Sequence, residues 1–149
     1  MNFKHYNQQQ TILLPYSFDD LIPEKHPVRV VDQVVESINI QPLLKAYSNE
    51  GNLGYHPKML LKVMLYAYMT NVYSSRKIEL ALRENINFMW LTSMTVVDHN
   101  TINRFRSNKL KDSFKEFFKQ VVLMLASEGL ITLKQIYTDG TKIEAQAGR

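Results

Sequence analysis

Pro57-Lys58-Met59-Leu60-Leu61-Lys62-Val63-Met64-Leu65-Tyr66-Ala67-Tyr68-Met69 leaves almost no polar face when wound as a helix. A helix that is apolar on nearly every side is usually one buried among other helices. Pro57 suits the first helical position, where its missing N–H is one that no intrahelical carbonyl would accept. The pattern predicts a central helix from Lys58 to about Tyr73. Its apolar run is broken by Lys62, and no stretch of the chain reaches the eighteen unbroken apolar residues of a membrane span. The fold expected around it is mainly α-helical, a bundle.

Upstream, Ser48 to Gly54 reads as a loop. Val31, Val34, Val35 and Ile38 set an i, i+3, i+4, i+7 stripe over residues 28–39, opened by Pro27. Pro42 starts a short turn through Tyr47. Residues 1–26 hold no helical period and are punctuated by Pro15 and Pro23. They read as an arm packed by its aromatic and aliphatic residues.

Downstream, Ser74 or Ser75 caps a helix from Arg76 to about Asn85, with Ile78, Leu82 and Leu80 as its inward residues. Ile86 to Leu91 forms an apolar connection carrying Trp90. Asp98 is an N-cap for a helix from His99 to about Lys109. Ser113 and Glu116 form a capping-box pattern ahead of Phe114, Phe117, Phe118, Val121, Val122 and Leu125, and Gly129 closes that helix. Ile136, Tyr137 and Thr138 then read as a strand running into an Asp139-Gly140 turn, with Thr141 and Ile143 resuming the alternation.

A chain of 149 residues with 45% hydrophobic content suits one domain with a real core. It has no cysteine, which excludes disulfides and cysteine-based zinc sites. The polar start lacks the layout of a secretory signal, so a cytoplasmic protein is expected. The four histidines show no metal-ligand spacing, and neither a phosphate-cradling glycine loop nor a nucleophile elbow occurs. The net charge of +4 is compatible with a polyanionic partner without establishing one.

Two constellations carry chemistry. On the His99–Lys109 helix, Asn100, Asn103, Arg104 and Ser107 share one polar face, with Arg106, Lys109 and Lys111 adding charge beside it. Asn and Arg match adenine and guanine edges bidentately, as a helix-turn-helix recognition helix requires. The competing reading is a solvated face on an ordinary bundle helix, and the Asn85–Asp98 connection exceeds the usual short turn. At the other constellation, Asp139 and Glu144 could serve a metal through oxygen ligands, although turn chemistry alone accounts for Asp139-Gly140.

Several linked blocks resemble the N-terminal domain of bacterial insertion-sequence transposases of the DDE class. They are Gly54 to Tyr68, Ser74 to Glu79, Arg83 to Ile86, Phe88 to Leu91 and Asp98 to Arg106. Asp139 to Ala145 resembles the segment holding that family's first catalytic aspartate. The resemblance runs in order from about Pro15 to the end of the chain. It implies an arm over 1–26, a helical DNA-binding domain over 27–132, and over 133–149 the truncated start of a ribonuclease-H-like catalytic domain. Combined with the polar face of the His99–Lys109 helix, this leads to the expectation that Asn100, Asn103, Arg104, Arg106 and Lys109 meet the terminal inverted repeats of a mobile element, with Arg76 and Lys77 on phosphates. Asp139 would be a catalytic ligand of Mg²⁺ in the full-length parent. No cofactor and no strand transfer are expected of this chain alone, since the second aspartate and final glutamate are missing. The partners expected are double-stranded DNA and a possible second copy, with no membrane. The alternative is a truncated transposase acting as a regulator or subunit-assembly module.

Overall fold

The computed structural model describes residues 2–11, 13, 17–47 and 54–130. Helices follow one another as α1 (Phe18–Leu21), α2 (Pro27–Ser37), α3 (Gln41–Leu44), α4 (Pro57–Met69), α5 (Ser75–Glu84), α6 (Ile86–Leu91), α7 (His99–Arg104) and α8 (Phe114–Ser127). A π-helical segment, Phe105–Leu110, continues α7. No strand occurs among the described residues. The strand expected around Asp139, together with Glu144, lies outside them, as does most of the 48–54 loop.

The core gathers around α4, which packs against α2 and α8. Leu60, Leu61, Val63, Met64, Leu65, Tyr66 and Ala67 of α4 are all buried. They meet the valines of α2 and Phe117, Phe118, Val121, Val122 and Leu125 of α8. Lys62 fits this environment because its head reaches Asp32 at 2.7 Å and Glu36 at 2.6 Å while its stem stays covered. Burial pulls the Lys62 pKa down, and its bonds and charge interactions with those two carboxylates outweigh that effect and raise it.

Both His-Pro pairs act as helix starts. The Nδ1 of His26 accepts from the Val28 N–H at 3.1 Å, and the Nδ1 of His56 accepts from the Lys58 N–H at 3.1 Å. Each histidine is held extended by the proline that follows it, which aims its ring back over the first turn.

Helix α4 stops at Met69, four residues before the expected Tyr73. Asn71 takes φ 62°, and the N–H groups of Asn71 and Val72 bond the carbonyls of Tyr68 and Ala67. This pattern satisfies the last carbonyls of a helix and turns the chain away. The same device closes α6 at Ser93 (φ 50°) and α8 at Gly129 (φ 71°). Only the glycine advertised itself in the sequence.

Four other expectations are corrected. Ile86–Leu91 is helical, since the Asn85 side chain caps it by accepting from the Asn87 N–H at 2.9 Å. Leu80 faces outward at 50% exposure, because Ile78 and Leu82 already fill the inward stripe of α5. Ser113 makes no capping box: it sits in right-handed helical geometry as the chain leaves the π-segment, and its hydroxyl turns back to the Leu110 carbonyl. The packed arm divides in two. Residues 2–11 and 13 are exposed, whereas Ile22 is buried and Arg29 ties the segment before α2 to the body. The Arg29 guanidinium donates to the carbonyls of Asp19, Ile22 and Pro23, pairs with the Asp19 carboxylate at 2.6 Å, and lies 5.2 Å from the Trp90 ring centroid.

Candidate nucleic-acid interface

Helix α7 begins where Asp98 folds over it. One carboxylate oxygen accepts from the N–H groups of Asn100 and Thr101 at 3.1 and 3.2 Å, and the other accepts from the Thr101 hydroxyl. Bonding from the Thr101 hydroxyl, then from backbone amides, holds Asp98 below the usual carboxylate range although it is exposed. Helix α7 packs on α5, and Ile102 and Phe105 are buried as the sequence predicts.

The next buried residue is Leu110. Five residues of α-helix would leave Phe105 and Leu110 about 140° apart. The wider π turn brings them closer to one face, and both side chains reach the core.

Two polar bonds fix how α7 lies. The His99 N–H donates to Glu79 Oε1 of α5 at 3.2 Å. The His99 Nδ1 is buried and 3.7 Å from the same oxygen, too far for a hydrogen bond. Further along, Arg106 donates to the Tyr73 carbonyl at 2.5 Å and to Asn103 Oδ1 at 2.7 Å. That bond draws the far end of α7 beside the start of α5, which Ser74 caps by accepting from the Lys77 N–H at 3.4 Å. Neither Glu79 nor the Tyr73 carbonyl is legible as a partner in sequence, because each meets its mate only through the packing of two helices.

The proposed contact residues separate by environment. Asn100, Asn103 and Arg104 are exposed on α7, and Arg76 and Lys77 are exposed on the first turn of α5. Arg104 keeps one bond within the helix, to the Thr101 hydroxyl at 3.3 Å. Arg106 and Lys109 are half-buried. Lys109 donates to the Ala46 carbonyl at 2.7 Å and sits 4.9 Å from the Tyr47 ring centroid, so it braces the end of the α3 turn. Asp139 lies outside the described residues.

The turn between α6 and α7 carries no signal in the sequence. Ser93 and Met94 both take left-handed backbone, at φ 50° and 67°, and Met94 is 60% exposed. No glycine marks the place. The preceding helix cap and the burial of Val97 hold the turn instead.

A family model described as Transposase domain (DUF772) matches residues 16–108. No curated protein and no solved structure matches the chain. The matched region opens just before α1 and ends inside the π-segment, so it contains all of α5, α6 and α7. Helix α8 lies beyond it and still supplies one wall of the core. Because that match spans well over half of its 149 residues, the chain belongs to the Transposase domain (DUF772) family.

Proposed function

We propose that this chain is the DNA-binding portion of a DDE transposase, recognising the terminal inverted repeats of an insertion sequence through a helix-turn-helix-like pair, α5 and α7, with α6 inserted between them. The observation that carries the reading is the exposed Asn100, Asn103 and Arg104 face on a helix whose opposite side is buried. Amide and guanidinium groups there can meet base edges in a major groove. Arg76 and Lys77 on the first turn of α5 supply phosphate contacts, which set register without reading sequence. Arg106 and Lys109, also expected to meet DNA, give donors to the Tyr73 and Ala46 carbonyls.

The catalytic part of the reading rests on resemblance alone. Among the described residues no group of three histidines or carboxylates could hold a metal ion. By that resemblance alone, Asp139 would hold Mg²⁺ in a full-length parent, together with carboxylates of a catalytic domain.

Fluorescence anisotropy against a labelled element end and a random duplex tests the recognition. Salt-sensitive binding with preference for the element end is expected. Arg104→Ala should weaken binding to the element end by about 1–3 kcal/mol if it makes a bidentate base contact. Equal affinity for both duplexes would sink specific recognition. Leu123 and Met124, exposed on α8 at 54% and 42%, favour a second reading as a subunit-assembly module. Light scattering that finds a dimer indifferent to DNA would support that alternative.

A further inference from the structure

The segment before α1 carries an unusual surface. Residues 2–11 are exposed throughout, with Phe3 at 84% and Tyr6 at 81% exposure. No acidic residue occurs before Asp19, while Lys4 and His5 lie between the two rings. A turn then sets this stretch off: the Gln10 N–H donates to the Asn7 carbonyl at 3.2 Å, and the Gln9 N–H donates to Asn7 Oδ1 at 2.9 Å. Gln8, Gln9 and Gln10 are exposed beside it. All of this lies outside the region matched by the transposase-domain model.

We propose that residues 2–11 form a second nucleic-acid contact, in which Phe3 and Tyr6 stack on unpaired DNA bases. The inference rests on the DNA-binding reading of the chain and adds a strand-state preference to it. Two exposed rings three residues apart, with Lys4 between them, offer flat faces on which a partner can stack. The chemistry around them selects the partner. Without a carboxylate nearby, nothing in the segment repels phosphates, and Lys4 attracts them. The asparagine and glutamine amides offer both donors and acceptors to base edges.

The same inventory selects unpaired bases over a duplex groove. Arms that enter a minor groove read it with arginine, lysine and amide side chains; residues 2–11 hold the amides and one lysine but no arginine, and their largest exposed groups are the two rings. Aromatic rings instead need an open base face, and stacking of this kind tolerates any base. Phe3 and Tyr6 can stand up to about 10 Å apart along an extended chain, which lets each ring take its own base. A lipid surface fits less well, since the segment is not helical and has one lysine.

The test compares a labelled DNA hairpin carrying a single-stranded tail with the same hairpin made blunt. Wild type and a Phe3→Ala/Tyr6→Ala double variant are titrated against each, with light scattering of both proteins without DNA. The expected result is at least about tenfold weaker binding of the variant to the tailed hairpin and unchanged binding to the blunt one. A Phe3→Tyr/Tyr6→Phe variant, which keeps both rings, should bind the tailed hairpin like wild type. An equal loss on both probes, or no loss on the tailed probe, overturns the inference. So does a fall in particle mass on removing the rings, which would show that a second copy covers them. If wild type binds neither hairpin nor an element end, the DNA-binding reading fails first. If wild type binds the blunt probe and the double variant binds both as wild type does, only this inference fails.

Discussion

Around α4, the contacts with α2 and α8 come mainly from aliphatic and aromatic side chains, with the Lys62 pairs confined to the rim. Helices α5 and α7 bury fewer apolar residues, Ile78 and Leu82 on one and Ile102 on the other, and two directional bonds flank their contact: the His99 N–H donates to Glu79, and Arg106 of the π-segment donates to the Tyr73 carbonyl just before α5. Apolar burial is strong but non-directional. It holds a bundle together without fixing the rotation of one helix to a fraction of a turn. A helix that reads base edges needs that rotation fixed, and hydrogen bonds supply it. The core thus secures the fold, and the bonds between α5 and α7 orient the polar face.

The largest effect should come from the core. Leu61→Ala empties a position with 0% exposure and should destabilise the protein by about 2–5 kcal/mol in denaturant unfolding. A loss under about 1 kcal/mol would show that α4 is not the centre assigned to it.

Next is Arg106→Ala, which leaves the Tyr73 carbonyl without this donor. A loss of about 1–3 kcal/mol is expected, with faster hydrogen exchange concentrated in α5 and α7. Under the proposed function the salt slope of DNA binding should stay as it is, because the Arg106 donors are already given to the Tyr73 carbonyl and Asn103 Oδ1. A slope reduced by about one would instead make Arg106 a phosphate contact rather than a brace between helices.

Gly129→Ala tests a helix end in the core half. A Cβ there meets nothing within 4 Å, so the cost arises from φ +71° alone and should be about 1 kcal/mol. Thermal unfolding with no shift at all would mean that the α8 terminus is not held in this geometry.

The smallest effect expected is one of pH. Burial, then the charge of Arg29, holds the His26 pKa below its ordinary 6.5. The folded state therefore resists protonation, and the neutral Nδ1 is the form that can accept from the Val28 N–H. This contribution is fully present above pH 6.5 and is lost as pH falls through the lowered folded value. The ring is only partly buried, which keeps the change below about 1 kcal/mol. His26→Asn, which retains a capping acceptor, should flatten that part of the stability–pH curve. An unchanged curve would assign the dependence elsewhere.

Much of the core was legible because periodicity reports burial directly. Val31, Val34 and Val35 on α2 and Phe117, Phe118, Val121, Val122 and Leu125 on α8 fall inward as their spacing predicts. The caps at Asp98 and Gly129 were legible because each depends on neighbours within a few residues. Helix ends at Asn71 and Ser93 were not, since residues other than glycine rarely adopt that backbone and local sequence gives little warning. The polar face of α7 could be located, but its supports could not. Glu79 is twenty residues from His99, and Arg106 is thirty-three from Tyr73.

The amino-acid sequence by itself determined the helical character of the described chain, the burial of α4, and the exposure of Asn100, Asn103 and Arg104. Each follows from spacing within one helix, where the 3.6-residue repeat converts order into direction. Only the tertiary structure decided that Arg106 and Lys109 turn their donors to carbonyls, and that Phe3 and Tyr6 lie outside the core. The physical reason is range. Charge and ring chemistry are properties of a residue, but the partner that satisfies them is chosen by which distant segments pack within a few ångströms.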